Sequence, residues 1–317
     1  MSPPDAAPTV RLPHIEPMLA VAGPLPTEPG WQGEAKWDGA RCLAYREGAE
    51  VRLVGRRGTD FTSRFPEVVE ALADVPNPLL LDGELVVMRD GRPSFQGLQS
   101  RVHRSRPESV RAGVSAAPAV LVVFDVLHTD RALFAVPYKE RRGLLESLNL
   151  DRPRVRVPPA WTSVAEAFAW TRDHRLEGVI AKRAGSPYRA GARSRDWVKQ
   201  KHLQVADVVI GGWVPGGRSG KSVRAVLVGV PEDEGGRLLF VGAVGTGFAD
   251  AERRGLGADL HRLAAPRSPF AGVSGGLGVP AGVEVRFVVP RLRAEVQFLE
   301  LTPAGRLRQP VWRGLRD

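Results

Sequence analysis

Lys36-Trp37-Asp38-Gly39-Ala40-Arg41 places an amine, a carboxylate and a guanidinium around a glycine, inside a stretch (residues 33–45) whose apolar residues alternate. Alternation of this kind reads as strand, and a glycine lets another backbone come close. Working outward, residues 51–54 continue as a second strand. Residues 62–73 set Phe65, Val68, Val69 and Leu72 at helical spacing behind Thr62 or Ser63 as N-cap. The apolar run 79–88 is interrupted by Asp82-Gly83-Glu84, and the run 119–127 by Asp125. Polar groups in a buried strand need partners.

Helices are expected over 139–148 and 163–174, the second opened by a capping box of Ser163 and Glu166. Glu177-Gly178-Val179-Ile180-Ala181-Lys182 reads as a turn into a strand. A polar loop, 185–196, then leads into Trp197-Val198-Lys199-Gln200-Lys201, where alternation puts Lys199 and Lys201 on one face. After His202 the texture changes to strands over 205–213, 224–230, 238–244, 283–289 and 295–301. A helix over 250–263 and a Pro/Gly-rich loop over 265–282 separate the third from the fourth. Five strands with one such helix predict a five-stranded OB-fold β-barrel, a common nucleic-acid-binding module. The expected division is a first domain over 1–203, with a flexible tail of about 12 residues, and a second over 204–317.

A chain of 317 residues with a single cysteine, Cys42, excludes a disulfide-stapled mini-protein. It also lacks an apolar run of membrane-spanning length and a secretory leader, so a soluble cytoplasmic protein is expected. The net charge of +10 points to a polyanionic partner. The split of the cations says more: 39 are arginine and six are lysine, at 36, 139, 182, 199, 201 and 221. Arginine is always protonated, whereas lysine can lose its proton and attack an electrophile. Amine chemistry must therefore use one of those six positions. An amine that attacks a phosphorus is expected to have its pKa lowered by neighbouring cations or burial, and Lys199 and Lys201 are placed to supply that field and to hold a phosphate. Carboxylates at Glu84 and Glu177 suit a divalent cation, although caps or ion pairs are the ordinary use of such acids. Phe124, an aromatic in an apolar strand, is by itself ordinarily core.

A Lys-x-Asp-Gly tetrapeptide alone is a weak signal, but it is followed in order by Arg56-Arg57-Gly58, Asp82-Gly83-Glu84, Phe124-Asp125, Glu177 to Lys182 and Trp197 to Lys201. That ordered set resembles the motifs of covalent nucleotidyltransferases, and of ATP-dependent DNA ligases in particular, from about Glu34 onward. The likeness is to the ligase domain of bacterial ligase D and to stand-alone ligase C enzymes. It implies an α+β architecture: a nucleotidyltransferase (ATP-grasp-like) domain of antiparallel sheets and flanking helices, then the OB fold. It also implies ATP, with Mg²⁺ or Mn²⁺, as cofactors, and three steps. Lys36 takes AMP from ATP, AMP passes to a DNA 5′-phosphate, and the adjacent 3′-hydroxyl displaces it, with the OB domain closing and then rotating between steps.

By the same resemblance Glu34 faces the adenine edge, Arg41 and Glu84 the ribose, and Phe124 the base. Arg56, counted with the nucleotide-binding set, faces DNA phosphate. Asp38 orients the site, Glu84 and Glu177 hold the metal, and Lys199 and Lys201 hold the α-phosphate. Nicked or broken double-stranded DNA is the implied substrate, with a Ku-type end-binding protein and a primase-polymerase as partners of a monomer near the nucleoid.

Two departures stand out. Arg57 occupies a place where such ligases usually have Asn. Gly314-Leu315-Arg316-Asp317 stands where an acidic residue and a lysine usually close the last motif. Slow self-adenylation is expected from the second, with Arg308, Arg313 or Arg316 as substitutes. An RNA ligase, a GTP-using capping enzyme and a degenerate nucleic-acid-binding protein remain the alternatives.

Overall fold

The computed structural model describes residues 11–217, 220–232, 237–271, 276–280, 282–302 and 304–316. By its contacts the chain divides into two units, Met1–His202 and Leu203–Asp317. Residues 1–10 of the expected tail lie outside the described residues. Leu12, also assigned to that tail, is buried instead, and its amide donates to Glu47 Oε1 at 2.5 Å.

The first unit begins with β1 (Leu19–Ala22), β2 (Trp31–Lys36), β3 (Ala40–Glu47), β4 (Glu50–Gly55), α1 (Pro66–Ala71), β5 (Leu79–Arg89) and β6 (Arg92–Pro93). It continues with α2 (Phe95–Val102), α3 (Pro107–Ala116), β7 (Ala119–His128), α4 (Tyr138–Ser147), β8 (Val155–Arg156), β9 (Ala160–Trp161), α5 (Val164–Asp173), β10 (Gly178–Arg183) and β11 (Arg193–Lys201). The strands form two sheets. One runs β1-β11-β10-β2-β9, and the other β4-β3-β5-β7-β8 with β6 on β5.

The stretch 33–45 is thus two strands in two different sheets. Residues 37–39 carry the chain across immediately after Lys36, so the sequence that looked like one strand places its lysine where the sheets meet. Gly39 makes the crossing possible: a Cβ there would lie 2.2 Å from the Leu85 carbonyl oxygen on β5. The capping expectation at 62–73 also changes. Thr62–Arg64 is a 3₁₀ turn, Thr62 Oγ1 accepts from the Leu53 amide at 3.0 Å, and α1 starts at Pro66 with no side-chain cap. Pro at the first helical position suits that start, since it has no N–H to satisfy. On α5 the Ser163 hydroxyl does cap, accepting from Glu166 N at 3.2 Å.

Side-chain alternation explains the layers. On β3, Cys42 and Ala44 join a core with α1, α2 and α4, whereas Leu43 and Tyr45 point the other way. They meet Leu80, Leu127, Tyr188 and Trp197 in a second core drawn from both sheets. On the other sheet Trp31, Val179 and Ala181 pack with Val164 and Ala167 of α5. By the same alternation Glu34, Lys36, Lys182, Lys199 and Lys201 face the inside, on the side of Ile180 and Trp197.

The second unit comprises β12 (Gln204–Gly216), β13 (Ser222–Pro231), β14 (Leu238–Val244), α6 (Asp250–Arg262), β15 (Ala264–Ala265), β16 (Phe270–Ala271), β17 (Arg286–Val288), β18 (Arg293–Phe298) and β19 (Val311–Arg316). β12 pairs antiparallel with β13 and β18, β13 with β14, and β18 with β19. A parallel bridge from Thr246 to Val311 closes the ring β12-β13-β14-β19-β18 around Trp213, Val226, Leu260 and Trp312. This is the expected five-stranded OB fold with one strand exchanged. The segment read as the fourth strand shrinks to β17, which among the described residues pairs with the far part of β12 and with β15, off the ring. β19 escapes a sequence reading because only Trp312 among its six residues is buried, so the alternation that marks a half-buried strand is missing.

Candidate active site

A cavity of about 650 Å³ opens in the first unit, lined by residues from both sheets. Of the residues singled out from sequence, Glu34, Lys36, Arg41, Arg56, Glu84, Phe124 and Lys199 line it. Asp38 sits in the 37–39 crossing and is not among the lining residues. Glu177 and Lys201 do not line it either, but they reach it through Lys36. Lys36 Nζ is ion-paired with Glu177 Oε2, and Lys201 Nζ lies 2.8 Å from Glu177 Oε1.

Strand register accounts for that cluster. Gly178 on β10 is opposite Lys36 on β2 and Lys201 on β11, so the two amines flank the residue that follows Glu177. At Gly178, φ is +156° and a Cβ would lie 2.1 Å from the Gln200 carbonyl oxygen, so only glycine lets β11 come this close. Lys199 lies on the same face and forms no ion pair among the described residues. Partial burial, then Lys36, Arg193 and Lys201 in turn, pull its amine below the ordinary lysine range. The nucleophile expected from sequence therefore meets a carboxylate as well as cations.

The opposite wall is built on β3, β5 and β7. Arg41 and Glu84 are directly opposite each other in register. Arg41 forks onto Asp82 at 2.5 and 2.6 Å, donates to the Met18 carbonyl at 3.1 Å, and lies 4.7 Å from the Phe124 ring centroid. Tyr188 Oη donates to the second Asp82 oxygen at 2.6 Å. The reason for a polar residue in that buried run is thus an arginine clamp, which fixes Arg41 without using Glu84. The other polar interruption, Asp125, is held by a buried two-point pair with Arg141 at 2.8 Å.

Phe124 is turned inward by a β-bulge. Asp82 pairs with Asp125 and Gly83 with Val123, which leaves Phe124 as the extra residue. Bulges re-aim side chains in this way near functional sites. Phe124 is therefore part of the cavity wall, with Lys182 Nζ 4.5 Å and Arg41 4.7 Å from its ring centroid.

Sequence reasoning left Lys182 open between a solvated or DNA-facing cation and a nucleotide contact, and it left out Trp197 in the cavity wall and, behind it, Tyr138, Arg142, Asp82 and Tyr188. Glu34 is buried, and both its oxygens are engaged: Lys182 Nζ lies 2.7 Å from Oε2, while Tyr138 Oη donates to Oε1. Asp82 carried a signal, a charge inside an apolar run; Tyr188 and Arg142 carried none, because their roles depend on segments more than 100 residues away.

Glu84 accepts no hydrogen bond from the described residues, and burial pushes its carboxyl up to about 7, against the pull of Arg41 and Lys36. A carboxyl raised by the fold stabilises the folded state while it is protonated, and that contribution is lost as pH rises through about 7. Glu84→Gln is accordingly expected to leave the melting temperature nearly unchanged at pH 5 and to raise it by a few degrees at pH 8. Equal shifts at both pH values would contradict this.

No group of three or more His, Cys, Asp or Glu among the described residues could enclose a metal ion. Mg²⁺ needs only one or two carboxylates where phosphate oxygens and water complete its shell. Glu84, without donors and within the electrostatic reach of Glu177, suits such a partial set.

Of the expected substitutes near the last motif, Arg308 lies 2.5 Å from Glu300, and Arg316 pairs with Glu295 and lies 3.5 Å from Asp207. Arg313 is exposed. Asp317 lies outside the described residues. No helix among the described residues is long and apolar enough to cross a membrane.

The "ATP dependent DNA ligase domain" family matches residues 17–201, and the "ATP dependent DNA ligase C terminal region" matches residues 219–317. The multifunctional non-homologous end joining DNA repair protein LigD of Mycobacterium tuberculosis is 40% identical over 315 residues, 96% of this chain and 38% of that protein. The chain thus spans 38% of the length of this relative. DNA ligase C1 of Mycolicibacterium smegmatis is 36% identical over 262 residues, 79% of this chain and 74% of that protein. A solved mycobacterial DNA ligase D complexed with ATP and MES is 40% identical, covers 95% of both chains and superimposes with a TM-score of 0.54.

Proposed function

The chain belongs to the ATP-dependent DNA ligase family, and from that premise we propose that it seals breaks in double-stranded DNA through an AMP adduct on Lys36. The observation that carries this reading is the convergence of Lys36, Lys199, Arg41, Glu84 and Phe124 on one cavity large enough for a nucleotide. In the first step Lys36 Nζ, freed of a proton, attacks the α-phosphorus of ATP and the bond to pyrophosphate breaks. Glu177, which accepts from Nζ, lies within reach of that proton. Lys199 offers an unpaired cation to the phosphate charge, and Arg41 is held rigid by Asp82 against the ring that takes the base.

Glu84 and Glu177 would hold Mg²⁺ or Mn²⁺, which neutralises triphosphate charge when bound. A 5′-phosphate oxygen of DNA next takes AMP from Lys36, returning the amine, and the 3′-hydroxyl then displaces AMP. Arg56 and Arg57, both at the cavity rim, suit a DNA phosphate. Asp38, in the crossing beside Lys36, orients the amine.

Incubation with α-labelled ATP or GTP and Mn²⁺, then a chase onto nicked DNA or nicked RNA, tests the proposal. The expected result is a protein label from ATP alone that moves to nicked DNA. A label from GTP alone would favour a capping-type enzyme. The absence of any label or pre-formed AMP adduct would favour a binding protein.

The same proposal extends to end joining, with the chain acting as a monomer near the nucleoid beside a Ku-type end-binding protein and a primase-polymerase. Its support is the LigD relative, whose name states that role, and the net charge of +10. A purified Ku-type protein is then expected to stimulate joining of linear ends and to leave nick sealing unchanged.

A further inference from the structure

Behind the cavity wall, α4 sends two side chains one helical turn apart to the same carboxylate. Tyr138 Oη donates to Glu34 Oε1, and Arg142 Nη1 stands 3.5 Å from that oxygen. The Arg142 guanidinium cannot turn away, because Nε donates to Glu146 Oε1 at 2.8 Å and Nη2 to the Pro158 carbonyl. Its Nη1 is buried, makes no hydrogen bond among the described residues, and faces Glu34 Oε1. A buried donor left without a partner costs stability.

Glu34 in turn fixes Lys182. Lys182 Nζ lies 2.7 Å from Glu34 Oε2 and donates to the Phe124 carbonyl at 3.2 Å, which leaves one N–H of the ammonium. That group lines the cavity, over the rings of Phe124 and Trp197 at 4.5 Å from both centroids. A donor fixed there matches the N1 acceptor of adenine and opposes the N1–H of guanine. A lysine free to swing would reach the O6 acceptor of guanine instead.

We infer that Arg142, with Tyr138, is a positioning residue for base selection: it holds Glu34, which holds Lys182 at the position that favours adenine over guanine. This rests on the proposed use of the cavity for a nucleotide. It assigns to α4, which contributes no residue to the cavity lining, control over which nucleotide binds.

The test is equilibrium titration of the full chain with ATP and with GTP, without divalent cation, followed by intrinsic tryptophan fluorescence, to which Trp37 and Trp197 contribute from the cavity wall. Wild type, Arg142→Met and Tyr138→Phe are compared, with melting temperatures and with labelling by α-labelled ATP in Mn²⁺. Loss of one charge-assisted contact is expected to weaken ATP about tenfold and to reduce the ATP-to-GTP preference about tenfold. The labelling rate at saturating ATP should fall less than about threefold. Tyr138→Phe keeps the ring and removes only the hydroxyl, so it carries the test if Arg142→Met does not fold.

An unchanged ATP-to-GTP preference in Tyr138→Phe would overturn the inference, as would equal loss of affinity for both nucleotides. Wild type that binds ATP selectively but takes no label sinks the ligase reading and leaves this one standing. Wild type shown by intact mass to carry no AMP adduct, and binding neither nucleotide, sinks both.

Discussion

Lys36→Ala and Lys36→Arg are both expected to form no covalent AMP adduct and to lose nick sealing by at least about 10⁴-fold, the scale on which removal of a nucleophile acts. The alanine variant removes the amine, and the arginine variant keeps the charge but cannot give up its proton. Neither should unfold the protein. Glu177, the partner that Lys36 leaves behind, keeps Lys201 at 2.8 Å, so no buried carboxylate is stranded. Intact-mass spectrometry after incubation with ATP and Mn²⁺ checks the adduct, and a melting curve within a few degrees of wild type checks the fold. An AMP adduct on Lys36→Ala would falsify the assignment and move the nucleophile to another lysine.

Gly39→Ala is expected to be damaging for a different reason. The added methyl would meet the Leu85 carbonyl oxygen at 2.2 Å, Glu84 Cγ at 2.8 Å and Val86 Cγ1 at 2.9 Å. The first of these is backbone in the middle of β5 and cannot rotate aside, so β3 and β5 must separate where Ala40 faces Leu85. Lys36 is three residues before the clash and Glu84 is part of it. Displacement of reacting groups by about 1 Å costs on the order of 100-fold in rate, and overpacking of this kind costs about 1–3 kcal/mol. Gly143→Ala on α4, where a Cβ meets nothing within 4 Å, is the control and is expected to be neutral or slightly stabilising. If Gly39→Ala matched that control in both melting temperature and adduct formation, the close crossing would not exist in solution.

Those two predictions divide along the line between what a sequence carries and what folding adds. Lys36 was legible because chemistry restricts the candidates: six lysines in a chain of 39 arginines, and one of them heading an ordered set of motifs. Lys199 and Lys201 were legible on one face because a strand has a period of two. The helix at 250–263 and four of the five barrel strands were visible as apolar stretches set off by turn-forming residues.

What stayed hidden was decided between segments far apart in the chain. Nothing local divides residues 33–45 into two sheets; the division follows from Gly39 against Leu85. Nothing local turns Phe124 inward; the bulge opposite Asp82 and Gly83 does so. β19 joins the barrel through its pairing with β18 and its bridge to Thr246, with a single buried side chain to advertise it. The clamp of Asp82 and Tyr188 on Arg41, and that of Tyr138 and Arg142 on Glu34, join residues up to 108 positions apart. The sequence by itself determined which groups could do the chemistry and the rhythm of the elements that carry them, because both are properties of residue type and spacing. Only the tertiary structure decided which charges pair, since pairing depends on register and on how closely two backbones approach.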